Sequence, residues 1–185
     1  METLALVAGI AVFMVVWLLL PHPVKTYVFA HELTHALWGL LFFAKPSHLR
    51  VASSGGSVKL TKSNLLITLA PYFFPFYTFI VIIAALATWF FVRPLPFLPA
   101  WMFAVGFTWA FHILFTLDTL TTRQPDVALY GRLFSWSFIY IANVVIVLVW
   151  LAATTGLSFA ELGDALLHRI TSAYLGVWSV VGSWF

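Results

Sequence analysis

Cysteine is absent from the 185-residue chain, and charge is scarce, with Lys, Arg, Asp and Glu together making up 8%. The first absence excludes disulfides, thiolate metal sites and thiol catalysis. The second excludes an ordinary soluble domain, in which about a quarter of residues are charged. No basic run is interleaved with aromatics, so nucleic acid is not an expected partner. Internal repeats are missing as well, and with them the paired inverted halves of a transporter. The apolar stretch Leu4–Leu20 lacks a basic leading region, and Pro21-His22-Pro23 is not a small-residue cleavage site, so it reads as a retained span rather than a signal peptide.

What is present is apolar. Hydrophobic residues make up 63% of the chain, mean hydropathy is +1.02, and nine Trp with six Tyr suit interfacial belts. The expected fold is an all-α polytopic membrane protein. It has about five transmembrane helices, a short β-hairpin or re-entrant loop, and a C-terminal amphipathic helix. Residues 1–185 form one membrane-embedded domain, with the lipid bilayer as its surroundings.

The expected spans are Leu4–Leu20, Val24–Ala44, Leu65–Val92, Phe97–Leu117 and Leu133–Ala153. Pro71 and Pro75 fall inside the third, where each frees a carbonyl that needs another partner. Between the second and third spans, Ser53-Ser54-Gly55-Gly56-Ser57 is a turn cluster flanked by Leu49, Val51, Val58 and Leu60 in alternation. That pattern reads as the hairpin or re-entrant loop, with a plain cytosolic loop as the alternative. The tail, 156–185, opens on the capping-box pattern Ser158-Phe159-Ala160-Glu161 and is expected to lie at the interface. Lys45, Arg50, Lys59, Lys62, Arg123 and Arg132 fall on one side of five crossings, against Lys25, Arg93 and Arg169 on the other. The majority side is cytoplasmic by the positive-inside rule, which places the N-terminus and the hairpin in the cytoplasm of a cell whose inner membrane holds the chain.

In the second span stands His31-Glu32-Leu33-Thr34-His35, an HExxH sequence. Positions i and i+4 share a helix face, so both imidazoles can address one metal ion, and Glu32 lies beside them as a candidate general base. In a chain of this composition the spacing arises by chance only about 0.003 times. Other polar residues have plainer readings: His22 and His48 as solvated turn and loop residues, His168 as part of the amphipathic tail, and Asn143 as interhelical glue.

The order of motifs resembles the site-2-protease-like intramembrane zinc metalloproteases of the M50 type, including their M50B-like branch. The likeness rests on His31-Glu32-Leu33-Thr34-His35-Ala36-Leu37 in an apolar helix, a Gly-rich hairpin-like stretch at Gly55-Gly56-Ser57-Val58, and a proline-bearing helix at Leu69-Ala70-Pro71-Tyr72. A later acidic residue near a helix end completes it. It covers roughly residues 24–135 and implies a minimal core enzyme without accessory modules. That family's third zinc ligand is an Asp followed by Gly. This chain has no Asp-Gly, and its nearest equivalents are Leu117-Asp118-Thr119 and Gln124-Pro125-Asp126-Val127.

A catalytic zinc takes three protein ligands and keeps one open position. Asp126 is the leading candidate to join His31 and His35; following Pro125, it is placed to open the fifth helix. His112, alone and ionisable in an apolar helix, is one rival, and Asp118 is another. The resemblance implies one Zn²⁺ per chain and a membrane-protein substrate. Peptide bonds would be hydrolysed by a zinc-activated water with Glu32 as base, and Gly55, Gly56 and Val58 would hold the substrate. Polar Thr119, Thr121, Thr122 and Gln124 are placed to line a water entry. The alternative is a non-catalytic integral membrane protein that keeps the HExxH as a structural or vestigial metal site.

Overall fold

The computed structural model describes residues 1–155 and 158–182. Its elements are α1 (Glu2–Leu19), α2 (Val24–Leu41), the strands β1 (Pro46–Ala52) and β2 (Gly55–Leu60), then α3 (Leu65–Phe73), α4 (Phe76–Phe91), α5 (Leu98–Thr121), α6 (Pro125–Leu129), α7 (Arg132–Thr155) and α8 (Phe159–Gly182). The described residues divide into two compact units, Met1–Ile139 and Tyr140–Phe185. The candidate site lies wholly in the first.

Three helices are long and apolar enough to cross a membrane: α1, α5 and the Arg132–Ala153 part of α7. A fourth span results if α3 and α4 are counted together. The expected count of five is not reached because α2 is too polar. Its 18 residues include Lys25, His31, Glu32 and His35. The third expected span is also not one rod, since α3 and α4 meet at 76° across Phe74-Pro75. Pro75 cannot donate to the carbonyl of Pro71, and the residue before a proline is pushed out of helical backbone; Phe74 is extended at φ −93°, ψ 104°.

Helix α2 begins after Pro21-His22-Pro23, where the Tyr27 N–H donates to the Pro23 carbonyl at 3.2 Å. It ends in a Schellman arrangement: Ala44 N–H donates to Gly39 O at 2.8 Å and Phe43 N–H to Leu40 O at 2.9 Å, with Phe43 at φ 57° where glycine is usual. His22 is exposed, as expected, and it also caps α1. Its Nε2 donates to the Trp17 carbonyl at 3.1 Å and its ring stacks on Trp17 at 3.7 Å.

Helices α1 and α5 pack backbone to backbone. A Cβ at Gly9 would lie 2.1 Å from the Phe103 carbonyl oxygen, and one at Gly106 would lie 2.1 Å from that of Leu6. Only glycine permits such an approach, the small-residue contact by which apolar helices associate. Phe13, Tyr27, Phe111 and Phe115 fill the core between α1, α2 and α5, with Tyr27 stacked on Phe115 at 4.8 Å.

The Ser-Gly cluster does form a hairpin. β1 and β2 pair antiparallel from Pro46↔Leu60 to Ala52↔Gly55, with an irregularity between Ser47 and Arg50. Ser53-Ser54 make the turn, and Gly55 takes φ 132°. The hairpin lies along α2, and Gly39 and Gly56 are the points of closest approach. A Cβ at Gly39 would meet the Leu60 side chain at 2.9 Å, and one at Gly56 would meet Glu32 Cγ at 2.5 Å.

In the second unit α8 is a 24-residue helix, and its capping box forms as the sequence predicts. Glu161 accepts from the Ser158 N–H at 2.8 Å and from its hydroxyl at 2.7 Å, while the Glu161 N–H donates to Ser158 Oγ at 3.3 Å.

Candidate metal centre

Two prolines set the geometry. Inside α3, Pro71 has no N–H to offer the carbonyl of Ile67, four residues earlier. His35 takes that carbonyl, with Nδ1 donating to Ile67 O at 2.8 Å. Because a carbonyl only accepts, the proton is fixed on Nδ1, and Nε2 points away from α3. The His112 ring from α5 hydrogen-bonds to the Tyr72 backbone, just ahead of the break at Pro75. His31 is oriented from its other side, with Nδ1 3.4 Å from the Tyr27 hydroxyl one turn earlier on α2.

Asp126 arrives from α6. It does not open the fifth long helix as expected: Pro125–Leu129 is a separate short turn of helix, set off from α7 by Tyr130 and by Gly131 at φ 84°. The turn is pinned where the buried Ser135 hydroxyl donates to the Val127 carbonyl at 3.0 Å. On the other flank, the Gln124 side chain donates to Thr122 Oγ1 at 2.7 Å.

Three donor atoms then converge. His31 Nε2 and His35 Nε2 each lie 3.3 Å from Asp126 Oδ2. Zinc–nitrogen and zinc–oxygen bonds near 2.0–2.1 Å in a tetrahedron put neighbouring donors about 3.3–3.4 Å apart. The two edges to Asp126 match that spacing and all three donors lie within 4.8 Å of one another, so the set could hold a metal ion. Burial raises the Asp126 carboxyl, but without metal the hydrogen bonds from His31 and His35 outweigh it and hold the group well below the usual carboxylate range, ionised.

Both rivals fall outside the group. His112 is buried on α5, turned to the Tyr72 backbone, and lines a void of about 10 Å³ with Thr34 and Thr108. The buried Thr116 hydroxyl, one turn along α5, makes no hydrogen bond among the described residues. Asp118 is exposed and lines the cleft, but its carboxylate is not among the converging atoms.

The centre opens into a cleft of about 880 Å³. Glu32 stands in its wall beside the histidines. Gly55, Gly56 and Val58 of the hairpin border one side, and Thr119, Thr122 and Gln124 the other. Of the polar residues expected at a water entry, only Thr121 is not part of the lining. The side chain of Asp126 is 27% exposed against 10% for the histidines, so the centre is reached from the α6 side.

Two tyrosines were not found from sequence. Tyr27 is one turn ahead of His31 on the same face, a spacing that was there to be read. Tyr72 is fully buried, donates its hydroxyl to Asp126 Oδ2 at 3.3 Å, and sets its ring edge-on to His31 at 5.1 Å. It had no sequence signal beyond following Pro71. Comparison with protein-family models, with curated proteins and with solved structures returns no match for this chain.

Proposed function

We propose that this chain is a polytopic membrane protein and an intramembrane zinc metallopeptidase of the site-2-protease-like, M50 type, hydrolysing peptide bonds of membrane-protein substrates. The observation that carries the reading is the convergence of His31, His35 and Asp126 from two separate elements, with Glu32 beside them in the wall of an open cleft. The residues that hold the metal are those three, one Zn²⁺ per chain. Zinc bound there polarises a carbonyl and lowers the pKa of water toward about 7.

The chain's own residues supply the rest. Glu32 accepts a proton from the attacking water and later delivers it to the leaving amine. A substrate helix cannot present a peptide bond while its backbone is fully hydrogen-bonded, so it unwinds at the cleft. The hairpin edge along Gly55, Gly56 and Val58 offers backbone partners to the unwound segment by strand addition. Thr119, Thr122 and Gln124 give water a polar way in.

The membrane setting rests on α1, α5 and α7, which carry exposed apolar side chains such as Leu4, Val12, Leu117, Leu133 and Tyr140. Arg93 lies 4.0 Å from the ring centroid of Trp89, and Arg132 lies 5.2 Å from that of Trp136. Arg–Trp pairs at helix ends suit the headgroup level. Helix α2 packs its polar face against α3 and the hairpin and leaves Phe29, Leu37, Leu40 and Leu41 exposed. The hairpin side is cytoplasmic in this reading.

Replacing Glu32 by Gln tests the reading. The variant binds zinc as the wild type does and cleaves nothing. Undiminished cleavage refutes Glu32 as the base, and a zinc-loaded wild type that cleaves no membrane substrate refutes the peptidase reading itself.

A further inference from the structure

We propose that Tyr72 is the residue that positions Asp126 as the third metal ligand, an inference that rests on the metal-site reading above and deepens it. A carboxylate has two oxygens and about four lone-pair directions, and nothing in aspartate itself selects the one that faces a metal. Asp126 rides on a five-residue helix and its side chain is partly exposed. Unrestrained rotation about its own side-chain bonds would spread Oδ1 and Oδ2 over several positions.

The Tyr72 hydroxyl donates to Oδ2, the same oxygen that both histidine Nε2 atoms approach. One lone pair of that oxygen is thereby occupied from the α3 side, which turns the remaining one toward His31 and His35. The phenol is itself held rigidly. Its side chain is completely buried, its ring is wedged edge-on against His31, and its backbone is tied to α5 by His112. His35 has the Ile67 carbonyl, His31 has Tyr27, and Tyr72 completes the set, so each ligand is steered by one partner from outside the centre.

The test is Tyr72→Phe in the full chain purified in detergent. The substitution keeps the ring and removes one oxygen. Zinc affinity is measured by chelator competition, and the visible spectrum is recorded after loading with Co²⁺. The expected result is a 10- to 100-fold rise in the zinc dissociation constant, the range found when partners of metal ligands are removed, together with an altered cobalt spectrum. In an Asp126→Asn background, followed with weaker chelators, Tyr72→Phe is expected to add nothing, because its effect passes through the carboxylate. Wild-type zinc affinity and an unchanged cobalt spectrum in Tyr72→Phe overturn the proposal. So does a full additional loss in the Asp126→Asn background, which assigns the phenol to packing. If the wild type itself takes up no zinc, the metal reading fails and this inference with it. If the wild type binds and Tyr72→Phe binds equally well, this inference alone fails.

Discussion

Replacing Gly56 by Ala separates the two jobs proposed for the centre, holding metal and cleaving. The new Cβ would sit 2.5 Å from Glu32 Cγ, 2.7 Å from its Oε1 and 2.7 Å from Val28 Cγ1. Carbon atoms in contact prefer about 3.5–4.0 Å, so strand β2 and the Glu32 side chain must part by about 1 Å. None of those near atoms belongs to His31, His35 or Asp126, and the zinc content should stay at one per chain. Overpacking of this kind costs about 1–3 kcal/mol of stability, and a displacement of about 1 Å of a reacting group costs about 100-fold in rate. The assay is cleavage of an apolar peptide mixture in detergent micelles, with products counted by mass spectrometry, alongside metal analysis. Lys59→Ala, exposed on the same strand and outside the cleft lining, serves as the control. A Gly56→Ala enzyme that cleaves within a few-fold of the wild type would refute the placing of Glu32 against the hairpin.

Gly9→Ala places a methyl group against backbone atoms of Phe103 and Phe107, and it lowers the thermal unfolding midpoint in detergent by several degrees; an unchanged midpoint rejects the α1–α5 contact. On acidification, zinc is released as protons compete for its ligands, the imidazoles first because histidine is the more basic ligand type. Metal occupancy should therefore fall as the pH is lowered, and at a lower pH the more free zinc is supplied, because protons and zinc compete for the same imidazole nitrogens; an occupancy that does not depend on pH contradicts a site with two histidine ligands. Crosslinks from a cysteine placed at Val58 should capture a bound substrate, and their absence removes the strand-addition step.

Much of the centre was legible because its signals are local. The HExxH spacing places two imidazoles on one helix face, the Ser-Ser-Gly-Gly run makes a turn between alternating strands, and Ser158 with Glu161 form the box their spacing predicts. Asp126 was preferred because Pro125 starts a helix there, although that helix is the short α6 and not α7. The features that escaped are those in which distant segments meet. Pro71 announces a freed carbonyl at Ile67, but only the folded chain gives it to His35. The 76° bend follows from Pro75, while its direction depends on what packs around it. Tyr72 meets Asp126 across 54 positions, and Gly9 meets the Phe103–Phe107 turn through a contact that no periodicity encodes. The span count differs because α2 spends its polar residues on the centre and packs that face against α3 and the hairpin.

Zinc content per chain, measured on detergent-purified protein prepared without chelator and supplied with zinc, tests the central claim most directly. The comparison is wild type against His31→Ala, Asp126→Ala, His112→Ala and Asp118→Ala. The account predicts one zinc in the wild type, lost in His31→Ala and Asp126→Ala and kept in His112→Ala and Asp118→Ala. A wild type without zinc, or zinc lost with His112 or Asp118 while Asp126→Ala retains it, would contradict the account.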